Sequence, residues 1–569
     1  MKSLTDTEIH HDDRIKRNLA ALGIKEENFP ANTFVSQIPE SRKINETSRH
    51  KFLVSLGISE SLLEHIDRHP EIERILLVER DPEALVSSVH NLPIAESLVR
   101  KDRLVIFLWA ANLAGYSLAD AITDTIRKTD LRGYLSTHYV ACARNEYEDE
   151  YELIKASCQN ALFVYGDDME DSFNGLKHMV RNMAVICNNP GIDVLKDKYV
   201  GIPAIVISAG TDLDKERVEI LKKHKDKFLV FAVDAVARKL ILSGLSIDFI
   251  CTLERVAKTA EFLKDIPEEL SRNTVLLSVP VVHPSLYANW KGQIINIFRP
   301  YSHFRYLQME GFLLDTGPSA ANMALHAAYH MGASPIILAG QNLCYEDGKS
   351  HCDFVPQDYS ISEEGCIMIE ENGREFITRK EWLIFRNSFS DFIRKKKCRV
   401  INTTRNGLFI DGAEINTDLN EVLEREGKFF SREEIKNPSC DEIKANWANW
   451  YEKSGRAISY LKWISYFCYH FHQMAFSFTD NLQKGETEGL KMIQHAFHLL
   501  KQGIEANPLY YFLLVHVIQS RTLMLENKLN FCDKDEKGLM QRLEVLKEFS
   551  HLVGSWAERI GKEIFIDWK

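Results

Sequence analysis

Four short segments of this chain carry side chains suited to binding an activated substrate and moving a proton. Thr316-Gly317-Pro318-Ser319 reads as a turn that sets Pro318 and Ser319 at a helix start, where unpaired N–H groups and the positive end of the helix dipole attract anions. Gly340-Gln341-Asn342 breaks an apolar run and opens a loop holding Tyr345, Glu346, Asp347, Lys349, His351 and Asp353. A histidine in a loop of this kind reads as a general base near neutral pH; the alternative is an exposed, inert side chain. His283, in VPVVHPS, is the second candidate base. Ser208-Ala209-Gly210-Thr211-Asp212-Leu213-Asp214 is a glycine turn that lets a ligand approach the backbone closely. Its two aspartates would repel a phosphate, so two readings stand: contacts to sugar hydroxyls or a base, or simple helix capping.

These segments need a scaffold that brings strand ends together. Short apolar runs at 204–208, 228–233, 249–252, 275–279, 294–298, 335–339 and 400–402 alternate with helical stretches. That alternation predicts an open, mainly parallel sheet covered by helices. The run at 335–339 (PIILA) reads as a strand buried on both faces, with its ligand crevice at the carboxyl end. Asp234 and Glu254 follow neighbouring strands, so they are placed to share one ligand; the alternatives are a helix cap and a surface charge.

The length of 569 residues calls for several cores. We divide the chain into an N-terminal α/β domain at 1–195, a central domain at 196–428 and an all-α domain at 429–569. In the first, runs at 52–57, 75–79 and 104–108 read as strands. Gly57 and Glu79 stand at about the 20-residue separation of a dinucleotide-binding turn and its ribose-binding acid. Only one of that fingerprint's three glycines is present, which favours a plain scaffold. Residues 145–187 read as helical, up to the break at Asn188-Asn189-Pro190-Gly191. In the third domain, helical periodicity covers 441–478, 486–505, 508–527 and 535–562. Trp447, Trp450, Tyr460, Trp463, Tyr466 and Phe467 recur there at helical spacing and are expected in a packed core rather than an acceptor groove.

Composition narrows the function. A net charge of −11, from 70 basic and 81 acidic residues, argues against nucleic acid or an anionic membrane as the main partner. The 11 cysteines include no C-x-x-C pair, which suits a reducing cytoplasm. The polar start lacks a signal peptide's apolar stretch, and no run is long enough to span a bilayer, so a cytoplasmic protein without membrane insertion is expected. There is no H-E-x-x-H, no strand-end D-x-D and no P-loop, so chemistry without a metal or other cofactor is the expectation.

The order of motifs, with the glycine turn at 208–214, VDA at 233–235, TLE at 252–254, TGPSAAN at 316–322 and ILAGQNLCYEDGKSH at 337–351, resembles the Maf (motility accessory factor) family. Its central domain is similar to that of MptE-like pterin pyrophosphokinases. The resemblance implies a sialyltransferase-like, Rossmann-like catalytic domain. It also implies transfer of a nonulosonic acid, pseudaminic, legionaminic or related, from a CMP-activated donor to Ser or Thr of flagellin. Under it, His351, Ser319 and Glu254 would be catalytic. Gly210, Thr211, Asp212, Asp234, Thr316, Gly317, Ser319, Asn322, Gln341, Asn342 and Tyr345 would bind the nucleotide sugar. The chain departs from the family pattern at three places. Gly210-Thr211-Asp212-Leu213 stands for G-P-S-L, Glu254 for an aspartate, and Gly340-Gln341-Asn342-Leu343 for G-Q-D-L. Two other readings stay open, a pterin pyrophosphokinase-like enzyme and a non-catalytic flagellin-binding or chaperone-like protein.

Overall fold

The structure is a computed structural model describing residues 5–22, 52–69, 74–79, 81–99, 104–109, 169–356, 366–483, 489–515 and 536–565, with isolated positions between them. The helix expected to begin at 145 is described only from Met169 onward, and the lead-in at 23–51 lies almost wholly outside the described residues. Contacts divide the chain into two compact units. One comprises Met1–Asp168, Ile464–Ala506 and Ile518–Trp556; the other comprises Met169–Trp463, Asn507–Val517 and Ala557–Lys569.

In the first unit, β1 (Phe52–Leu56), β2 (Arg74–Glu79) and β3 (Leu104–Trp109) form a parallel sheet in that order. Leu53, Ile75, Leu77, Ile66 and Leu85 are all buried in its core. Asn18 fastens the first helix (Thr5–Leu22) to this core: its Nδ2 donates to the Val89 and Leu92 carbonyls at 2.7 and 3.0 Å, and its Oδ1 accepts from Ala95 N at 2.9 Å. Glu79 is buried, and its carboxylate accepts from Ile58 N at 3.1 Å and Asp81 N at 2.9 Å. The acid spaced like a ribose ligand thus closes the turns around Gly57, which has φ +87°.

The second unit is built on an eight-stranded sheet with every pairing parallel. Its strands are β4 (Ala204–Ile207), β5 (Leu229–Val233), β6 (Phe249–Thr252), β7 (Val275–Ser278), β8 (Gln293–Asn296), β9 (Ile336–Ala339), β12 (Val400–Asn402) and β13 (Glu414–Ile415). The seven strand runs expected from sequence are all present, and β4, β5, β6, β7 and β9 are buried along their whole length. Burial of each such Val, Leu or Ile contributes roughly 1.5–3 kcal/mol, which is why these runs carry no period-2 polar face. The spatial order is β13-β12-β9-β4-β5-β6-β7-β8. From β4 the chain steps outward one way to β8, then returns to β9 on the other side of β4. The β4/β9 boundary is therefore the topological switch point, where open α/β sheets leave a crevice at the carboxyl ends.

Two elements were not visible in the sequence reading. An antiparallel hairpin, β10 (Ile367–Glu371) and β11 (Arg374–Thr378), interrupts the path from β9 to β12, and β13 extends the sheet edge by two residues. The two-residue β13 is too short to leave an apolar signature, whereas the hairpin carried one that was overlooked: the run Ile367-Met368-Ile369 and an Asn372-Gly373 turn, both residues at positive φ.

The aromatic series in the long helix Cys440–Gln483 corrects the expectation of a packed core. Trp450 and Tyr460 are buried, whereas Trp463, Tyr466 and Phe467 are 38%, 59% and 45% exposed. Buried positions advance as Ala457, Leu461, Ile464, Cys468, Phe471 and Ala475. These three- and four-residue steps define one face, and the remaining aromatics fall off it.

Candidate active site

At the switch point the turns after β4 and β9 are locked together. Gly210 N donates to Gly340 O at 2.8 Å. A Cβ on Gly210 would lie 2.2 Å from Asn342 Oδ1 and 2.4 Å from Gly340 O, so only glycine allows this approach. Gly340 itself has φ +71°. Ser208 Oγ donates to Gln341 Oε1, and Gln341 N donates to Thr404 Oγ1 at 3.0 Å. Asn342 is buried and uses both ends of its amide: Oδ1 accepts from Asp212 N at 3.1 Å, and Nδ2 donates to Asn406 O.

A cavity of about 180 Å³ opens above these turns. It is lined by Gly210, Asp234, Glu254, Ser319, Gln341, Asn342 and His351 from the sequence-derived set, together with Trp382, Phe385 and Phe262. Ser319 caps the helix Ala320–His330: its Oγ accepts from Asn322 N at 3.2 Å and donates to Asn322 Oδ1 at 2.6 Å. The first turn of that helix lines the cavity, so the positive end of its dipole faces the space.

Thr211, Asp212, Thr316, Gly317, Asn322 and Tyr345 do not line the cavity. Thr211 Oγ1 donates to Glu346 Oε2 at 2.7 Å, and Asn406 Nδ2 reaches the other oxygen of that carboxylate at 2.7 Å. Asp212 is buried between Arg405 Nε at 2.7 Å and Arg217 Nε at 3.3 Å. Arg405 also pairs with Asp214, which caps the helix Lys215–His224 by accepting from Arg217 N at 2.8 Å. The repulsion foreseen between these aspartates and a phosphate is therefore neutralised internally. Gly317, at φ +62°, accepts from Arg299 Nη2 at 2.9 Å, while Thr316 is buried and donates to Gly317 O at 3.0 Å. Asn322 Nδ2 holds Phe385 O at 3.2 Å. The Tyr345 ring packs on Trp382 with centroids 4.9 Å apart, and its hydroxyl bonds toward Arg379.

Arg405, Arg217, Trp382 and Phe385 were missed by the sequence reading. A usable signal existed for Arg405: it follows β12, another strand of the same sheet, in the turn Thr403-Thr404-Arg405-Asn406-Gly407. A Cβ on Gly407 would meet Asn342 Cα at 2.8 Å.

Three titratable groups define the electrostatics. Asp234 begins the helix after β5 and accepts from Thr252 Oγ1 at 2.6 Å and Ala235 N at 2.8 Å. Burial raises its pKa to about 7, with the nearby Glu254 charge acting in the same direction. Glu254 reaches solvent at the cavity mouth but is crowded by protein, and desolvation raises its pKa against the pull of Arg255 and Arg299. Desolvation lowers His351 to about 4, so its imidazole is neutral throughout the neutral range. Its Nδ1 lies 2.8 Å from Ser350 Oγ, and its ring meets Trp382 edge-on at 6.3 Å. His283 lies outside the cavity, with Nδ1 2.7 Å from Ser285 Oγ and its ring 5.0 Å from that of His178. Among the described residues no group of three or more His, Cys, Asp or Glu side chains is arranged to hold a metal ion. No helix among them is long and apolar enough to cross a membrane, and their eight cysteines are all free.

Residues 177–348 match a family model described as 6-hydroxymethylpterin diphosphokinase MptE-like. No curated protein sequence matches the chain. Among solved structures, the Maf glycosyltransferase of Magnetospirillum magneticum AMB-1 is similar at a TM-score of 0.55 with 14% identity, over 98% of this chain and 86% of that one. At that identity the likeness establishes a common fold. The chain thus carries an MptE-like domain over 177–348 and shares its fold, over nearly its whole length, with a Maf glycosyltransferase.

Proposed function

We propose that the protein is a glycosyltransferase that moves a nonulosonic acid from a CMP-activated donor to a Ser or Thr hydroxyl of flagellin. The observation that carries this reading is the convergence of His351, Glu254, Asp234 and the Ser319 helix terminus on one cavity at the switch point, in a fold shared with a glycosyltransferase. In the proposed reaction His351 accepts the hydroxyl proton as the acceptor oxygen bonds to the anomeric carbon. The bond from that carbon to the phosphate oxygen breaks, and its electron pair leaves on CMP. The helix terminus stabilises the charge that develops there. Glu254 faces the positive charge that builds on the sugar ring, and Trp382 and Phe385 offer flat surfaces for a base or a sugar face.

Metal independence belongs to the same proposal, and transfer is expected to persist in excess EDTA. The test is incubation of the purified chain with flagellin and a panel of CMP-nonulosonates. A flagellin mass increase matching one sugar supports the reading, and its absence with every donor refutes it. A second reading has support from the family model over 177–348: transfer of pyrophosphate from ATP to a hydroxymethylpterin. AMP release dependent on the pterin would favour it. Failure of both transfers, with flagellin still bound, would favour the non-catalytic flagellin-binding reading.

A further inference from the structure

The long helix Cys440–Gln483 is apolar on two opposite faces between positions 464 and 476. One face is core: Ile464, Cys468, Phe471 and Ala475 are buried, and the Phe471 ring packs on Phe497 with centroids 5.5 Å apart. On the far side, Tyr466, Phe467, Tyr469, Met474 and Phe476 are 42–60% exposed. At 3.6 residues per turn these five positions fall within the half of the circumference opposite the buried line. His470 lies among them, its ring 4.2 Å from that of Tyr466 and 5.5 Å from that of Tyr469. A helix segment that is apolar all round is ordinarily buried all round, and a solvent face is ordinarily charged. From Trp463 to Thr479 this helix contains no Asp, Glu, Lys or Arg. A contiguous apolar patch of this kind marks an interaction surface.

The sequence pattern fits one occupant. The charge-free run is bounded by Lys462 and Asp480, opposite in sign and 18 residues apart (480 minus 462), which is about five turns and so one line along the helix. Laid antiparallel against a second copy, the segment sets each Lys462 position across from an Asp480 position and each Tyr466 across from a Met474. An aromatic ring against a flexible thioether is a favourable pair, and an isologous contact makes each such pair twice. The five exposed side chains contribute on the order of 100 Å² each, so a two-fold pair covers about 1,000 Å², the lower bound for a specific interface. A membrane surface fits worse. Interfacial helices carry Lys and Arg beside their apolar face, and this run has neither, in a chain of net charge −11.

We propose that this face is a contact between two copies of the chain, an antiparallel helix pair about a two-fold axis near His470. The contact is independent of the reaction that the crevice carries.

The test is sedimentation velocity of the full chain over about 1–100 µM, where a monomer–dimer equilibrium with Kd on the order of micromolar is expected for a contact of this size. Tyr466→Lys and Met474→Glu each place a charge in the contact and should raise Kd at least about 10-fold. Both positions are exposed in the single chain, so the Tm of the dilute variants should match that of wild type. Residues 466 and 474 stand about 12 Å apart along one helix, too far to pair within a chain, yet they face each other across the axis. The double variant Tyr466→Lys/Met474→Glu should therefore recover dimerisation to within about threefold of wild type. A wild-type protein monomeric throughout that range, single variants that dimerise like wild type, or a double variant no better than the singles would each overturn the proposal. So would wild-type monomer that binds vesicles of phosphatidylcholine and phosphatidylglycerol and loses that binding in Tyr466→Lys, which would assign the face to a membrane.

Discussion

Replacing Asn342 by aspartate introduces the acid found at this position in the motif pattern that the chain resembles, and the structure gives a reason why it should harm this chain. The amide is buried, accepts from Asp212 N at 3.1 Å and donates to Asn406 O. An ionised carboxylate keeps the first bond and loses the second, leaving the Asn406 carbonyl facing a negative oxygen. An unsatisfied buried acceptor costs about 1–3 kcal/mol. The introduced carboxyl is also desolvated, which raises its pKa in the folded state, and the penalty grows by about 1.4 kcal/mol for each pH unit between the unfolded-state value and that raised value, levelling off above it. We therefore expect destabilisation of about 1 kcal/mol near pH 5, where the carboxyl retains its proton and can still donate to Asn406. Near pH 8 we expect about 3–5 kcal/mol. The assay is differential scanning calorimetry of wild type and Asn342→Asp at both pH values, with CMP titration calorimetry alongside. A fall in Tm on the order of 5 °C or more at pH 8, shrinking at pH 5, is predicted. Equal Tm values at pH 8 would refute the claim that this amide holds the β4, β9 and β12 turns together.

Two further outcomes follow from the same geometry. Asp234 has a pKa raised from 3.8 to about 7, so its favourable contribution is present below about pH 4 and is lost as pH rises through 7. Asp234→Asn, which keeps an acceptor for Ala235 N, should gain stability relative to wild type across that window, by at most about 4 kcal/mol; a pH-independent difference in Tm would contradict the assignment. Gly210→Ala has no room for its methyl group and should cost about 1–3 kcal/mol, with CMP affinity weakened as the Gly340 turn is displaced; wild-type Tm and affinity would argue against the close approach.

Most of the sheet was legible because buried parallel strands are uninterrupted apolar runs with punctuated ends. The runs at 204–208, 228–233 and 335–339 became β4, β5 and β9, and their following residues Gly210, Asp234 and Gln341 share a cavity. The hairpin Ile367–Thr378 was overlooked although Asn372-Gly373, between two runs of period-2 burial, is a hairpin turn; its half-buried, half-polar strands lack the continuous apolar runs that marked the central sheet. Side-chain partners were harder still. Asp212 was read as a ligand for the donor, yet it is held by Arg405, 193 residues away in sequence. Nothing local to Asp212 announces that partner. Asn322 and Thr316 were likewise read as binding residues from their place in the TGPSAAN motif, although Thr316 and the Asn322 side-chain carbonyl oxygen bond within the turn and the Asn322 amide nitrogen holds Phe385 O. His351, by contrast, lines the cavity as its loop position suggested, because that loop follows a strand ending at the crevice.

The central claim is that His351 serves as the base for glycosyl transfer in the crevice at the β4/β9 switch point. Its most direct test is intact-mass analysis of flagellin incubated with a CMP-nonulosonate and either wild-type protein or His351→Ala, with CMP binding measured for both. The account predicts a one-sugar mass increase with wild type and a rate at least about 10²-fold lower for the variant at unchanged CMP affinity. Equal rates for the two proteins, or no mass increase with wild type, would contradict it.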